Sequence, residues 1–201
     1  MTPQKYQYIE SDSIIYGLSD EYQLNHEEYY VLYSFFVTYS LGDKQSKKGR
    51  KLSDYGWTGN YSRNGLKKAL RNSIDIFNNS YYSFADDDNS GADDFFKNEC
   101  KRLNLDKNTN SIIDFSTERA AISITSGTNN YLRLFYRIRD GFAHGQFVLK
   151  TSDNNRMIII QDQNRSNVTA RMILNLDNLV EIIRIIDKNN ILNSNLLNKR
   201  V

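Results

Sequence analysis

Apolar residues recur at helical spacing along much of this chain and at strand-like spacing in one late region. Tyr29, Leu32, Tyr33 and Phe36 share a face over 26–41, where Gly42 stops the run, and Leu66, Leu70, Ile74 and Phe77 do so over 63–79. The pattern predicts further helices over 92–103, with Phe95, Phe96, Cys100 and Leu103 as the apolar set, over 126–144, and over 176–188. The segment 114–125 reads as a weaker helix. Between the last two helices, 146–150, 156–161 and 169–174 are short β-type runs separated by Asn-rich turns, which predicts a small antiparallel meander. The polar stretch 83–91, with Asp86, Asp87 and Asp88, and the basic stretch 42–61 read as loops. The expected architecture is therefore mainly α: a helical bundle with a small antiparallel meander or hairpin inserted before the last helix. A single domain spans 1–201, with the first 25 or so residues and the last dozen or so at its periphery.

Composition narrows the function classes. Apolar residues make up 39% of the chain, enough for a core, and a net charge of +2 gives no overall field toward nucleic acid or an anionic membrane. Any such binding has to come from a local patch. The lone Cys100 excludes an internal disulfide and a cysteine-based zinc site, and the two histidines, His26 and His144, have no metal-ligand spacing. No metal or cofactor is expected. No apolar run reaches membrane-spanning length and the N-terminus lacks a signal-peptide pattern, so the expectation is a cytoplasmic protein with no membrane partner.

One stretch concentrates the chemistry: Leu134-Phe-Tyr-Arg-Ile-Arg-Asp-Gly-Phe-Ala-His-Gly145. At 100° per residue, Arg133, Arg137, Asp140 and His144 fall on one stripe of the helix, while Leu132, Phe135 and Phe142 lie on another face with Arg139 among them. Asp140 lies one turn before His144, within reach of its imidazole. The ring sits at a helix C-terminus, where the backbone dipole favours a cation, and Gly145 is the natural residue to end the helix. Arginine beside a carboxylate and an imidazole supplies charge stabilisation and acid–base capacity together.

Arg139-Asp-Gly-Phe-Ala-His144 resembles the Arg-polar-x-x-x-His signature of the HEPN superfamily, and Gly145 matches its frequent His-Gly ending. The helical order of roughly 26–188 resembles that family more loosely, and the β-type insertion resembles members from plasmids and mobile elements. The resemblance implies a metal-independent endoribonuclease that works as a homodimer, in a bacterial defence, toxin–antitoxin or phage-related setting. His144 would act on the ribose 2′-hydroxyl or the leaving 5′-oxygen, Arg139 would stabilise the scissile phosphate, and Asp140 would orient one of the two. Arg137 is a second arginine candidate: it shares the stripe of His144, whereas Arg139 has the polar follower that the signature asks for. Arg133 and Arg137, with Lys47 and Lys48 of the basic loop, are candidate RNA contacts.

Plainer readings stand beside these. His144 would cap the last carbonyls of its helix and Arg139 would pair with an acid of the bundle. Tyr55, Trp57 and Tyr61 would be core aromatics rather than base-stacking platforms, and the acidic run at 86–88 a solvated turn. A non-catalytic HEPN-like module that binds RNA or protein, or a regulator with an antitoxin-like partner, is the alternative to the enzyme.

Overall fold

The structure, a computed structural model, describes residues 13–39, 41, 49–59, 62–74, 82–86, 92–106, 114–124, 130–164, 167–194 and 197. Along them run α1 (His26–Leu32), continued by a π-helical turn (Tyr33–Thr38), α2 (Ser62–Ser73), β1 (Tyr82–Asp86), α3 (Ala92–Arg102), β2 (Arg119–Ile124), α4 (Asn130–Ala143), β3 (Phe147–Ser152), β4 (Asn155–Asn164), β5 (Asn167–Asn175) and α5 (Leu176–Ile186).

A five-stranded sheet in the order β1-β2-β5-β4-β3 organises the molecule. This mixed α/β architecture overturns the mainly helical bundle with a small meander that the sequence pattern predicts. Two observations make the difference. The segment 114–125, expected to be helical, contains β2, which pairs antiparallel with β5 through Arg119↔Ile173 to Ile122↔Ala170. The supposed loop at 83–91 begins inside β1, which pairs in parallel with β2 from Tyr82↔Ala120 to Asp86↔Ile124. The physical reason is burial from both sides: Ala120, Ala121 and Ile122 are all sealed from solvent, so β2 lacks the polar alternation that marks a half-exposed strand.

Helices cover both faces of the sheet. Ile122, Leu149, Ile158, Ile160, Ala170, Met172 and Leu174 face one core, which also takes in Phe35, Phe36, Leu70, Ile138, Phe142 and Ile183 from the π-helical turn, α2, α4 and α5. Ala121, Val148, Met157, Ile159 and Ile173 face the second core, closed by Phe96 and Cys100 of α3 and by Ile14 and Ile15. Strand β4 is consequently apolar on both sides from Met157 to Ile160. A two-residue turn at Asp153 and Asn154, both with positive φ, closes the β3–β4 hairpin, the geometry that matches strand twist. The outer edge of β3 is covered rather than open: Glu21 N–H donates to the Leu149 carbonyl (2.8 Å), and Leu149 and Thr151 N–H donate to the carboxylates of Asp20 and Glu21 (2.9 Å each).

Candidate functional site

Helix α4 is held to the sheet by its apolar face, with Leu134, Phe135, Ile138 and Phe142 almost fully buried. Gly141 permits the approach: a Cβ there would sit 2.3 Å from Ile160 Cγ2, so no larger residue fits between α4 and β4 without movement. The helix then ends in a Schellman motif. Gly145 adopts φ +64°, its N–H donates to the Phe142 carbonyl (3.2 Å), and Gln146 N–H reaches back to the Gly141 carbonyl (2.8 Å). The Tyr33 hydroxyl, from the π-helical turn, donates a further bond to the Phe142 carbonyl (3.1 Å). Burial pushes the Tyr33 phenol up to about 12, so it stays a donor across the physiological range.

This ending displays the side chains of the signature. His144 follows the last helical residue, its N–H bonded to the Asp140 carbonyl (3.0 Å), and it is exposed. Asp140 lies one turn earlier. Its carboxylate accepts from Arg139 Nη1 at 2.5 Å, and the two side chains retain 18% and 22% of their exposure. Neighbouring residues do not ordinarily face each other on a helix; the long arginine side chain reaches around to make this contact. A guanidinium, a carboxylate and an imidazole thus lie within the last two turns of one helix, all open to solvent in part or in full. The 2.5 Å pair also means that Arg139 offers a phosphate a charge already partly cancelled.

Arg137 takes a different partner. Its Nη1 donates to Asp162 Oδ2 (2.9 Å) and its Nη2 to the Ser123 carbonyl (3.2 Å), so one guanidinium links α4 to β4 and β2. Asp162 also accepts from the Thr169 hydroxyl (2.6 Å). With only 4% of its side chain exposed, Asp162 has its carboxyl raised above the ordinary range by burial; Asp140 pushes the same way, and Thr169 and Arg137 oppose. Removing either partner of so buried a pair would strand a charge, at a cost of roughly 3–5 kcal/mol. Sequence reasoning missed Asp162, Thr169 and Ser123. The one available signal was a carboxylate closing the apolar run Ile158-Ile-Ile-Gln-Asp162.

Of the remaining candidates, Arg133 is half-buried one turn before Arg137, and Lys47 and Lys48 lie outside the described residues, as does Tyr61. Tyr55 and Trp57 are core: the Tyr55 hydroxyl donates to the Tyr39 carbonyl and Trp57 Nε1 to the Ile186 carbonyl (2.9 Å), with Lys188 Nζ over the indole. Tyr33 packs edge-on against Phe142, whereas Tyr29, stacked on Tyr33 at 4.2 Å, is 49% exposed. His26 lines a shallow open cleft with Glu27, Tyr30, Asn193 and Ser194. Asp86 lies in β1, and Asp87 and Asp88 lie outside the described residues. Among the described residues no group of three or more histidine, cysteine and carboxylate side chains is arranged to hold a metal, and no helix is long and apolar enough to cross a membrane.

No protein-family model matches the chain, and neither does any curated protein or solved structure.

Proposed function

We propose that this chain is a metal-independent endoribonuclease of the HEPN type, acting as a homodimer in the cytoplasm of a bacterium or its phage, in defence or toxin–antitoxin biology. The observation that carries the reading is the exposed His144 at the tip of α4, one turn from the half-open Arg139–Asp140 pair. The reading rests on this signature and its presentation, not on an all-helical bundle.

RNA brings its own nucleophile. The 2′-hydroxyl attacks the adjacent phosphorus, the bond to the 5′-oxygen breaks, and a 2′,3′-cyclic phosphate and a 5′-hydroxyl result. An imidazole takes the proton from the 2′-oxygen or returns one to the 5′-oxygen, help worth about 10²–10⁴-fold. Arg139 meets the charge that gathers on the phosphoryl oxygens. Asp140 sets the orientation of Arg139. Each chain supplies one such histidine, so pairing two copies would bring both a base and an acid to one cleft.

RNA incubated with purified protein in EDTA tests this. Cleavage that leaves cyclic phosphate ends, disappears in His144→Ala, and is blocked by a 2′-deoxy sugar at the cut site is the expected result. Cleavage that persists in His144→Ala would dismiss the assignment.

The Arg139–Asp140 contact favours a second reading, a HEPN-like module that binds RNA or a regulatory or antitoxin-like protein without cutting. A guanidinium engaged by its own neighbour is poorly prepared for a phosphate. Intact RNA retained on the wild-type chain, or stable co-purification with one protein partner and no cleavage, would select it.

A further inference from the structure

Two arginines and two acids meet where α4 crosses the sheet, and their pairing is not the only one the helix allows. Arg137 and Asp140 are three residues apart on α4, a spacing at which opposite charges normally join. They do not pair here. Arg137 is drawn to β4 by Asp162, and Asp140 is left to Arg139. Asp140 adds to the upward push that burial gives the Asp162 carboxyl, so the two acids feel each other's charge.

We infer that Asp162 is a positioning residue: by holding Arg137 against the sheet, it keeps the carboxylate of Asp140 on Arg139, beside His144. This rests on the nuclease reading for its consequence in catalysis, although the exchange of partners is a structural statement. Asp162 is suited to the task because it is buried and doubly engaged. Thr169 fixes its Oδ2 from β5 at 2.6 Å, and the Ser123 carbonyl holds the other arm of Arg137 at 3.2 Å. Oriented from three strands, Arg137 has little freedom to swing along its own helix. Were the charge at 162 lost, Asp140, three residues further along the same helix, would be a carboxylate at a spacing Arg137 can reach. The carboxylate would then be shared between two guanidinium groups, and its hold on Arg139 would weaken.

The test is a pair of variants, each checked for cooperative unfolding. In Asp162→Asn, a crystal structure is expected to show Arg137 within hydrogen-bond distance of Asp140, and RNA cleavage is expected to lose roughly tenfold or more in kcat with KM little changed. In Arg137→Met/Asp162→Leu, which removes the buried pair and the competitor together, a crystal structure is expected to keep the Asp140 carboxylate on Arg139 as in the wild-type chain. A folded double variant in which Asp140 has left Arg139 would overturn the inference, because Arg137 would then not be what competes for that carboxylate. So would an Asp162→Asn structure in which Arg137 ignores Asp140. If Asp162→Asn does not fold, the double variant decides alone. RNA left uncut by the wild-type chain would defeat the nuclease reading, and the position of Arg137 in the Asp162→Asn crystal would still judge this inference.

Discussion

Asp140 is the residue on which the two functional readings divide. Its carboxylate is 2.5 Å from Arg139 Nη1, so an incoming phosphate meets a neutralised pair instead of a free cation. Replacing it by asparagine keeps the shape and removes the charge. In a His144→Ala background, where RNA would stay intact, Asp140→Asn is expected to bind single-stranded RNA several-fold more tightly at low salt. The slope of log affinity against log salt should steepen by about 0.7, the value for one added phosphate contact on a single strand. An unchanged slope would show that Asp140 does not screen Arg139. This local part of the site was legible in the sequence because arginine, acid, histidine and glycine lie within seven residues of one helix end. The supporting part was not: Asp162 and Thr169 come from two other strands, and only the folded sheet sets them beside Arg137.

At the scale of elements, α4 illustrates how a motif residue can serve packing. Glycine in a helix interior normally costs up to about 1 kcal/mol relative to alanine, so Gly141→Ala would stabilise an exposed helix. Here the added methyl meets Ile160 Cγ2 at 2.3 Å, and the sign reverses. A loss of about 1–3 kcal/mol is expected from overpacking, read as a lowered denaturant midpoint; a raised midpoint would mean that α4 moves off β4 without penalty. The covered edge of β3 gives a second expectation. The Glu21 carboxyl is held down at about 2 by the Lys150 ammonium first, then by the N–H and hydroxyl of Thr151. A carboxyl depressed in the folded chain stabilises it above the unfolded value and loses that contribution as pH falls. Hydrogen-exchange protection of Thr151 should therefore drop between about pH 4.5 and pH 2, and Glu21→Gln should show the lower protection already at neutral pH. Protection that is flat over that range, or equal in the variant, would count against it. Helices with one clear apolar stripe, such as α5, were readable from spacing, as were the Asp-Asn turn residues between β3 and β4. Strand β2 was not, because Ala120-Ala-Ile122 is buried all round and carries no period.

For the whole molecule, what the sequence conceals is long-range order. Strand β2 enters the sheet between β1 and β5, so its neighbours lie about forty residues before and fifty after it, and no local pattern encodes that pairing. The same blindness applies to the relation between copies, yet the proposed chemistry constrains it. Attack by a 2′-hydroxyl needs a proton removed at one oxygen and delivered at another, and each chain offers a single imidazole at the end of α4. Tyr29, about half exposed, stacks on Tyr33, which packs against Phe142 beside that helix end. If two copies complete one cleft, a mixed dimer of wild-type and His144→Ala chains lacks either its base or its acid. Titrating the variant into a fixed total of protein, with time for subunits to exchange, should then reduce cleavage with the square of the wild-type fraction. Cleavage that falls only in proportion to that fraction would mean each chain works alone, and His144 would have to serve both oxygens in turn.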